Sequence, residues 1–239
     1  MLYVVATPIG NLEDISLRAI SVLKSADFIL AEDTRVTAKL LAKYNIQKSM
    51  IISPDARPLC RGRGLDLKAS GHSGFQKIEH IIELLKEGKN LAIVTDAGTP
   101  GINDPGNYLI KKCLEAIPDL KIVPIPGANA AISALSISGF PADSYIYLGF
   151  PPHKKGRQTF FKKIAEISET IVFYESKHRI LKAMEELRSV AVIGDRPLVV
   201  ARELTKRFET IYRGNIDEIT LKLKGDNLLG EFVVVISPK

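Results

Sequence analysis

The chain has 239 residues, 46% of them hydrophobic and 25% charged. That composition excludes a disordered or fibrous protein and leaves room for two domains of roughly 120 residues each. The net charge of +6 favours an anionic partner, nucleic acid or a polycarboxylate, and four histidines and two cysteines without ligand spacing argue against a metal centre.

Residues 2–6 read as a buried first strand. The strand runs into Thr7-Pro8-Ile9-Gly10 with no basic leader, and the cysteines form no CxxC pair, which together predict a cytoplasmic, reducing setting. No apolar run approaches the roughly 18 residues a membrane span needs. Further strands are expected at 28–31, 50–52, 91–95 and 122–125, alternating with helices at 15–24, 37–43, 76–86, 108–116 and 128–136. Such alternation predicts an α/β fold with a mainly parallel sheet. Later strands at 145–148, 171–174, 198–202, 208–212 and 231–236 have fewer helices between them (180–187 and 216–222), which predicts a mixed sheet with antiparallel members. Pro118 and a change in composition place the domain boundary at 116/117, giving domains 1–116 and 117–239. Residues 54–74 carry Arg57, Arg61 and Arg63 with little periodicity, a longer loop than compact domains usually hold.

The strongest local signal is the segment 96–106, Asp-Ala-Gly-Thr-Pro-Gly-Ile-Asn-Asp-Pro-Gly. It follows a strand and opens a helix, where α/β sheets place ligands. Its glycines permit close backbone approach and its prolines stiffen it, so little entropy is lost on binding. The glycines fall at 98, 101 and 106, so neither GxGxxG nor GxxxxGK[ST] is present, and dinucleotide oxidoreductases and P-loop enzymes are excluded. A second Pro/Gly loop, 124–131, leads into a small-residue helix. After the second strand comes Glu32-Asp33-Thr34-Arg35, in which Asp33 or Thr34 reads as a helix N-cap and Asp33 and Arg35 also as candidate site residues. Bases interleave with aromatics in 150–163, and more bases stand at 177–179 and 206–207, each run just past a strand. Lys154, Lys155, Arg157, Lys177, Arg179 and Lys206 are therefore candidate RNA contacts, to phosphates beside stacked bases.

Seven segments in order carry a resemblance: 3–12, 31–35, 96–101, 126–128, 172–176, His178-Arg179 and 201–206 (Ala-Arg-Glu-Leu-Thr-Lys). Together they resemble the tetrapyrrole methylase superfamily, and within it the enzymes that methylate a cytidine 2′-oxygen of small-subunit ribosomal RNA. The resemblance implies two α/β domains with a cofactor cleft between them, a homodimer, S-adenosylmethionine as cofactor, and ribosomal RNA or the assembled small subunit as partner. It implies cofactor contacts at Pro8, Asp96, Ala97, Gly98, Gly101, Ile102, Asn129, Ala130, Tyr174, Arg202 and Glu231. For a base that accepts the ribose proton the candidates are Glu203, Asp33 and Glu175, with Arg35, Arg202 or Lys206 beside a phosphate, and spacing does not choose among them. The chain departs from the family at 54–74, where a short Tyr-His-rich segment is usual. Two rivals stay open. One is a C-methyltransferase acting on a tetrapyrrole precursor, against which the first loop lacks a Gly-x-Gly-Pro-Gly-like pattern. The other is a non-catalytic RNA-binding ribosome-assembly factor.

Overall fold

The computed structural model describes residues 1–54, 72–104, 106–189 and 196–239. Most of the 54–74 segment, with its arginines and Cys60, lies outside the described residues, as does Pro105. The chain forms two compact units, Met1–Asn129 and Ala130–Lys239.

The first unit holds strands β1 (Leu2–Val5), β2 (Phe28–Ala31), β3 (Met50–Ile52), β4 (Leu91–Val94) and β5 (Ile122–Ile125), with helices α1 (Leu17–Ser25), α2 (Thr34–Lys43), α3 (His72–Lys86) and α4 (Gly106–Ala116). The strands form one sheet in the order β3-β2-β4-β1-β5, every pair parallel. β4 is apolar and buried along its length, as a central parallel strand with both faces covered must be. One face packs Val5, Ile29, Ala31, Ala92 and Val94 against Ala19 and Leu23 of α1 and Leu40 and Leu41 of α2. The other packs Leu2, Leu30, Leu91 and Ile93 against Ile81 and Leu85 of α3 and Leu109 and Cys113 of α4. Burial pushes the Cys113 thiol up to about 11, so it is a packed thiol rather than a nucleophile.

The 116/117 boundary needs correction. β5 lies beyond it yet runs parallel to β1 from Leu2↔Ile122 to Val5↔Ile125, so the first unit extends to Asn129. Pro118 ends α4; it does not end the unit.

The second unit holds helix α5 (Ala130–Ser136), strand β6 (Tyr145–Tyr147), helix α6 (Arg157–Glu166), strand β7 (Thr170–Ser176), helix α7 (Ile180–Arg188), strands β8 (Leu198–Arg202) and β9 (Thr210–Gly214), helix α8 (Ile216–Lys224) and strand β10 (Glu231–Ile236). Its sheet order is β6-β7-β10-β8-β9, with β6 parallel to β7 and the other pairs antiparallel, the mixed sheet expected from the sequence. One face packs Phe173, Val200, Phe232 and Val234 against apolar residues of α6, α7 and α8. α5 lies against β10 and β7. Helix α6 was not expected. Its density of lysines hides a narrow apolar stripe, Phe161 and Ile164. β9 begins two residues later than expected, because residues 203–209 form the loop that turns β8 back antiparallel, with Arg202 opposite Thr210.

Candidate active site

In the first unit the expected residues gather at the carboxyl ends of the parallel strands. The chain winds outward through β2 to β3, returns to β4 and passes β1 to β5, so the loops after β1 and β4 flank the point where winding reverses, the usual ligand position. These loops are tied to one another. Thr7 and Gly98 exchange backbone hydrogen bonds at 2.9 and 3.1 Å, and the Thr7 hydroxyl donates to the Thr95 carbonyl at 3.0 Å. The Thr99 hydroxyl donates to the Ala128 carbonyl at 3.2 Å. On the other side, the Thr95 hydroxyl donates to Glu32 at 2.7 Å, and Asp96 Oδ1 accepts the Asp33 N–H at 3.1 Å.

Asp104 holds the 96–106 loop from within. One carboxylate oxygen accepts the Gly101 N–H and the other the Gly106 N–H, both at 2.7 Å. Burial, opposed by these hydrogen bonds, leaves the Asp104 carboxyl above its ordinary range. Gly98 and Gly101 have φ of +88° and +85°, left-handed values that side chains resist. The loop thus leaves Asp96, Ala97 and Ile102 exposed and Pro8 and Gly98 buried, with Gly101 and Asn129 half-buried. Asp104 was missed as a staple, although an aspartate between two glycines that need anchored N–H groups is the signal an Asx turn leaves.

Asp33 is the N-cap of α2, accepting the Arg35 N–H at 2.8 Å, and its carboxylate also pairs with the Arg35 guanidinium at 2.6 Å. That hydrogen bond holds the Asp33 carboxyl at about 2. A carboxylate so acidic is a poor proton acceptor for a ribose hydroxyl.

In the second unit, the Tyr174 hydroxyl accepts the Ala131 N–H at 3.1 Å, at the start of α5 beside Ala130. The Tyr147 ring lies edge-on to Tyr174 at 5.3 Å, its hydroxyl buried with no hydrogen-bond partner among the described residues. The loop after β8 is held as firmly. Lys206 Nζ lies 2.9 Å from Glu203 Oε1 and 3.1 Å from Glu231 Oε2, and Glu203 Oε1 also accepts the Glu231 N–H at 3.0 Å. Partial burial would raise the Glu203 carboxyl, but the Lys206 and Glu231 hydrogen bonds outweigh it, and the carboxyl sits below the ordinary glutamate range. Glu203 and Thr205 have φ of +51° and +64°, strain typical of a functional loop. Arg202 is buried, its guanidinium donating to the Asn227 carbonyl and pairing with Asp226 at 3.3 Å. Arg202 Nε and Thr205 Oγ1 are buried without a hydrogen-bond partner among the described residues, polar atoms that suit a bound molecule rich in acceptors and donors.

Two expectations require correction. Arg157 is only 3% exposed, because its guanidinium bonds Glu175 at 3.1 Å and Glu186 at 2.7 Å, so it has no surface to offer RNA. Glu175 is fully buried between Arg157 and Arg179, 2.8 Å from the latter, and cannot reach a substrate proton. Arg179, partly exposed, is committed to the same cluster. Lys154, Lys155 and Lys177 are exposed. Among the described residues no group of His, Cys, Asp and Glu could hold a metal ion, and no helix is long and apolar enough to cross a membrane.

The model of the Tetrapyrrole (Corrin/Porphyrin) Methylases matches residues 1–220. A Ribosomal RNA small subunit methyltransferase I of Escherichia coli O157:H7 is 44% identical over 98% of this chain and 77% of its own. Its counterpart from Thermotoga maritima is 40% identical over 100% of this chain and 98% of its own. Among solved structures the methyltransferase CobJ superposes with a TM-score of 0.66 at 18% identity, over 99% of this chain and 93% of its own, a likeness of fold. With its parallel and mixed sheets and its tied strand-end loops, the chain belongs to the tetrapyrrole methylases and, among them, to the ribosomal RNA small subunit methyltransferase I family.

Proposed function

We propose that this protein is an S-adenosylmethionine-dependent methyltransferase whose substrate is small-subunit ribosomal RNA and whose acceptor is the 2′-oxygen of a cytidine. The observation that carries the reading is near full-length identity of 40–44% to relatives named for methylation of that RNA. The loop 96–106, stapled by Asp104, agrees with it.

In the first unit, Asp96, the backbone of Ala97, Gly98, Gly101 and Ile102, and Pro8 and Asn129 would hold the cofactor. In the second unit, Ala130, Tyr174, Arg202 and Glu231 are its expected contacts, and the unpartnered Arg202 Nε and Thr205 Oγ1 fit that role. When bound, S-adenosylmethionine supplies an electrophilic sulfonium methyl with a neutral leaving group. The chain's own task is alignment of the ribose hydroxyl, an effect worth about 7–11 kcal/mol in well-oriented systems. Glu203, ionised and fixed by Lys206, is the residue we assign to orient that hydroxyl by accepting its hydrogen bond. Arg35, exposed beside Asp33, is assigned to a neighbouring phosphate. Lys154, Lys155 and Lys177 supply the remaining basic surface.

We further propose a cytoplasmic homodimer; light scattering that returned a monomer mass would remove that part alone. The activity is tested with S-adenosylmethionine labelled in its methyl group. Label in assembled small subunits or their RNA supports the reading, label in uroporphyrinogen supports the tetrapyrrole reading, and no transfer with no cofactor binding supports the assembly-factor reading.

A further inference from the structure

The segment between β6 and α6 is held in an unusual way. It begins at Gly149 (φ +63°) and ends at Gly156 (φ +87°), both left-handed turns. Between them, two carbonyls face arginines, one buried and one partly exposed: Arg157 Nη1 donates to Pro152 O and Arg179 Nη1 to Pro151 O, each at 3.3 Å. Both arginines converge on the fully buried carboxylate of Glu175, Arg157 at 3.1 Å on one oxygen and Arg179 at 2.8 Å on the other. The Ser176 N–H adds a third donor to that carboxylate at 2.8 Å.

A buried ion cluster is a weak source of stability, because desolvation of the charges offsets most of their attraction. What it does supply is position, since each charge accepts few arrangements. The segment so fixed presents Phe150, 46% exposed, with its ring edge-on to Tyr174 at 5.4 Å. Exposed Lys154 and Lys155 follow within the same segment. A lone exposed phenylalanine needs no explanation. One ordered by an aromatic neighbour, beside two exposed lysines, on a main chain clamped by buried ions, has the composition of a single-strand stacking platform: an aromatic face for a base and cations for the adjoining phosphates.

We propose that Phe150 stacks on an unpaired base of the RNA, and that Glu175, acting through Arg157 and Arg179, is the positioning residue that holds this platform in place. The proposal rests on the RNA reading above and adds a recognition element to it. Glu175 touches no substrate; it acts through the two arginines.

The test is fluorescence anisotropy of the full chain with a labelled single-stranded RNA of about ten nucleotides, measured across a salt series. Phe150→Ala is expected to weaken binding by about tenfold with the salt slope unchanged, since stacking displaces no counterion. Phe150→Trp is expected to bind as the wild type does or more tightly. Glu175→Gln is the discriminating variant. It removes a negative charge, so electrostatics alone would tighten RNA binding, whereas loss of position weakens it. Wild-type affinity in Phe150→Ala overturns the stacking role, and equal or tighter binding by Glu175→Gln overturns the positioning role. Should Glu175→Gln fail to fold, the exposed Phe150 pair decides the proposal. Wild-type protein that binds no RNA sinks the RNA reading itself, an outcome separate from wild-type binding that Phe150→Ala leaves intact.

Discussion

Asp96 and Asp33 stand at the ends of neighbouring parallel strands, and the Asp96 carboxylate accepts the Asp33 backbone N–H at 3.1 Å. One side chain thus joins the loop 96–106 to the cap of α2. Asp96→Ala is expected to abolish measurable S-adenosylmethionine binding, whereas Asp96→Asn, which keeps an acceptor for that N–H, should retain part of it. Isothermal calorimetry decides, and unchanged affinity in Asp96→Ala would remove Asp96 from the cofactor site.

Gly230 is the reason Glu203 can lie where it does. Its φ is +116°, and an added Cβ would stand 2.6 Å from Glu203 Oε1. Gly230→Ala should lower stability by about 1–3 kcal/mol and reduce methyl transfer by displacing Glu203. Chemical denaturation and a methyl-transfer assay test both parts. A stable variant with full activity would show that the Glu203 position does not matter.

The Glu203–Lys206 pair predicts a pH dependence. The Glu203 carboxyl is lowered on folding: burial opposes ionisation, but the Lys206 and Glu231 hydrogen bonds prevail. Its contribution to stability is therefore complete above the unfolded glutamate value of about 4.3 and is lost as pH falls through the lower folded value. The Lys206 ammonium is raised, burial being outweighed by Glu203 and Glu231, so its contribution is lost only in strong alkali. Lys206→Met should move the Glu203 carboxyl upward in a carbon-13 NMR titration and make the acid loss of stability smaller. An unmoved Glu203 resonance midpoint would show the pair to be uncoupled.

Exposed Lys154 and Lys177 are assigned to phosphates. Replacing either with alanine should weaken binding of all RNA sequences alike and reduce the salt slope by about 0.7. A sequence-selective loss at constant slope would point instead to base recognition.

Much of this architecture is legible in the chain. Runs such as Leu91–Val94 are apolar enough to demand a central parallel strand, and three glycines with two prolines mark 96–106 as more than a turn. Local patterns fail where long-range pairing decides. β5 looks like the start of a second domain, and only its ladder with β1 assigns it to the first. Arg157 reads as a surface base because its partners, Glu175 and Glu186, are 18 and 29 residues away. The same distance hides Glu175 as a structural carboxylate. Asp33 could be read either way from the sequence, and the structure shows it capping α2 and pairing with the Arg35 guanidinium, which lowers its basicity.

The proposed acceptor is a ribose oxygen of small-subunit RNA. The most direct measurement is methyl transfer from labelled cofactor to small subunits, followed by alkaline hydrolysis of the recovered RNA. A 2′-O-methyl group blocks cleavage at its own linkage, so label is expected in an alkali-resistant dinucleotide that begins with cytidine. Label released in mononucleotides, which marks methylation on a base, or label found only in a tetrapyrrole, would contradict it.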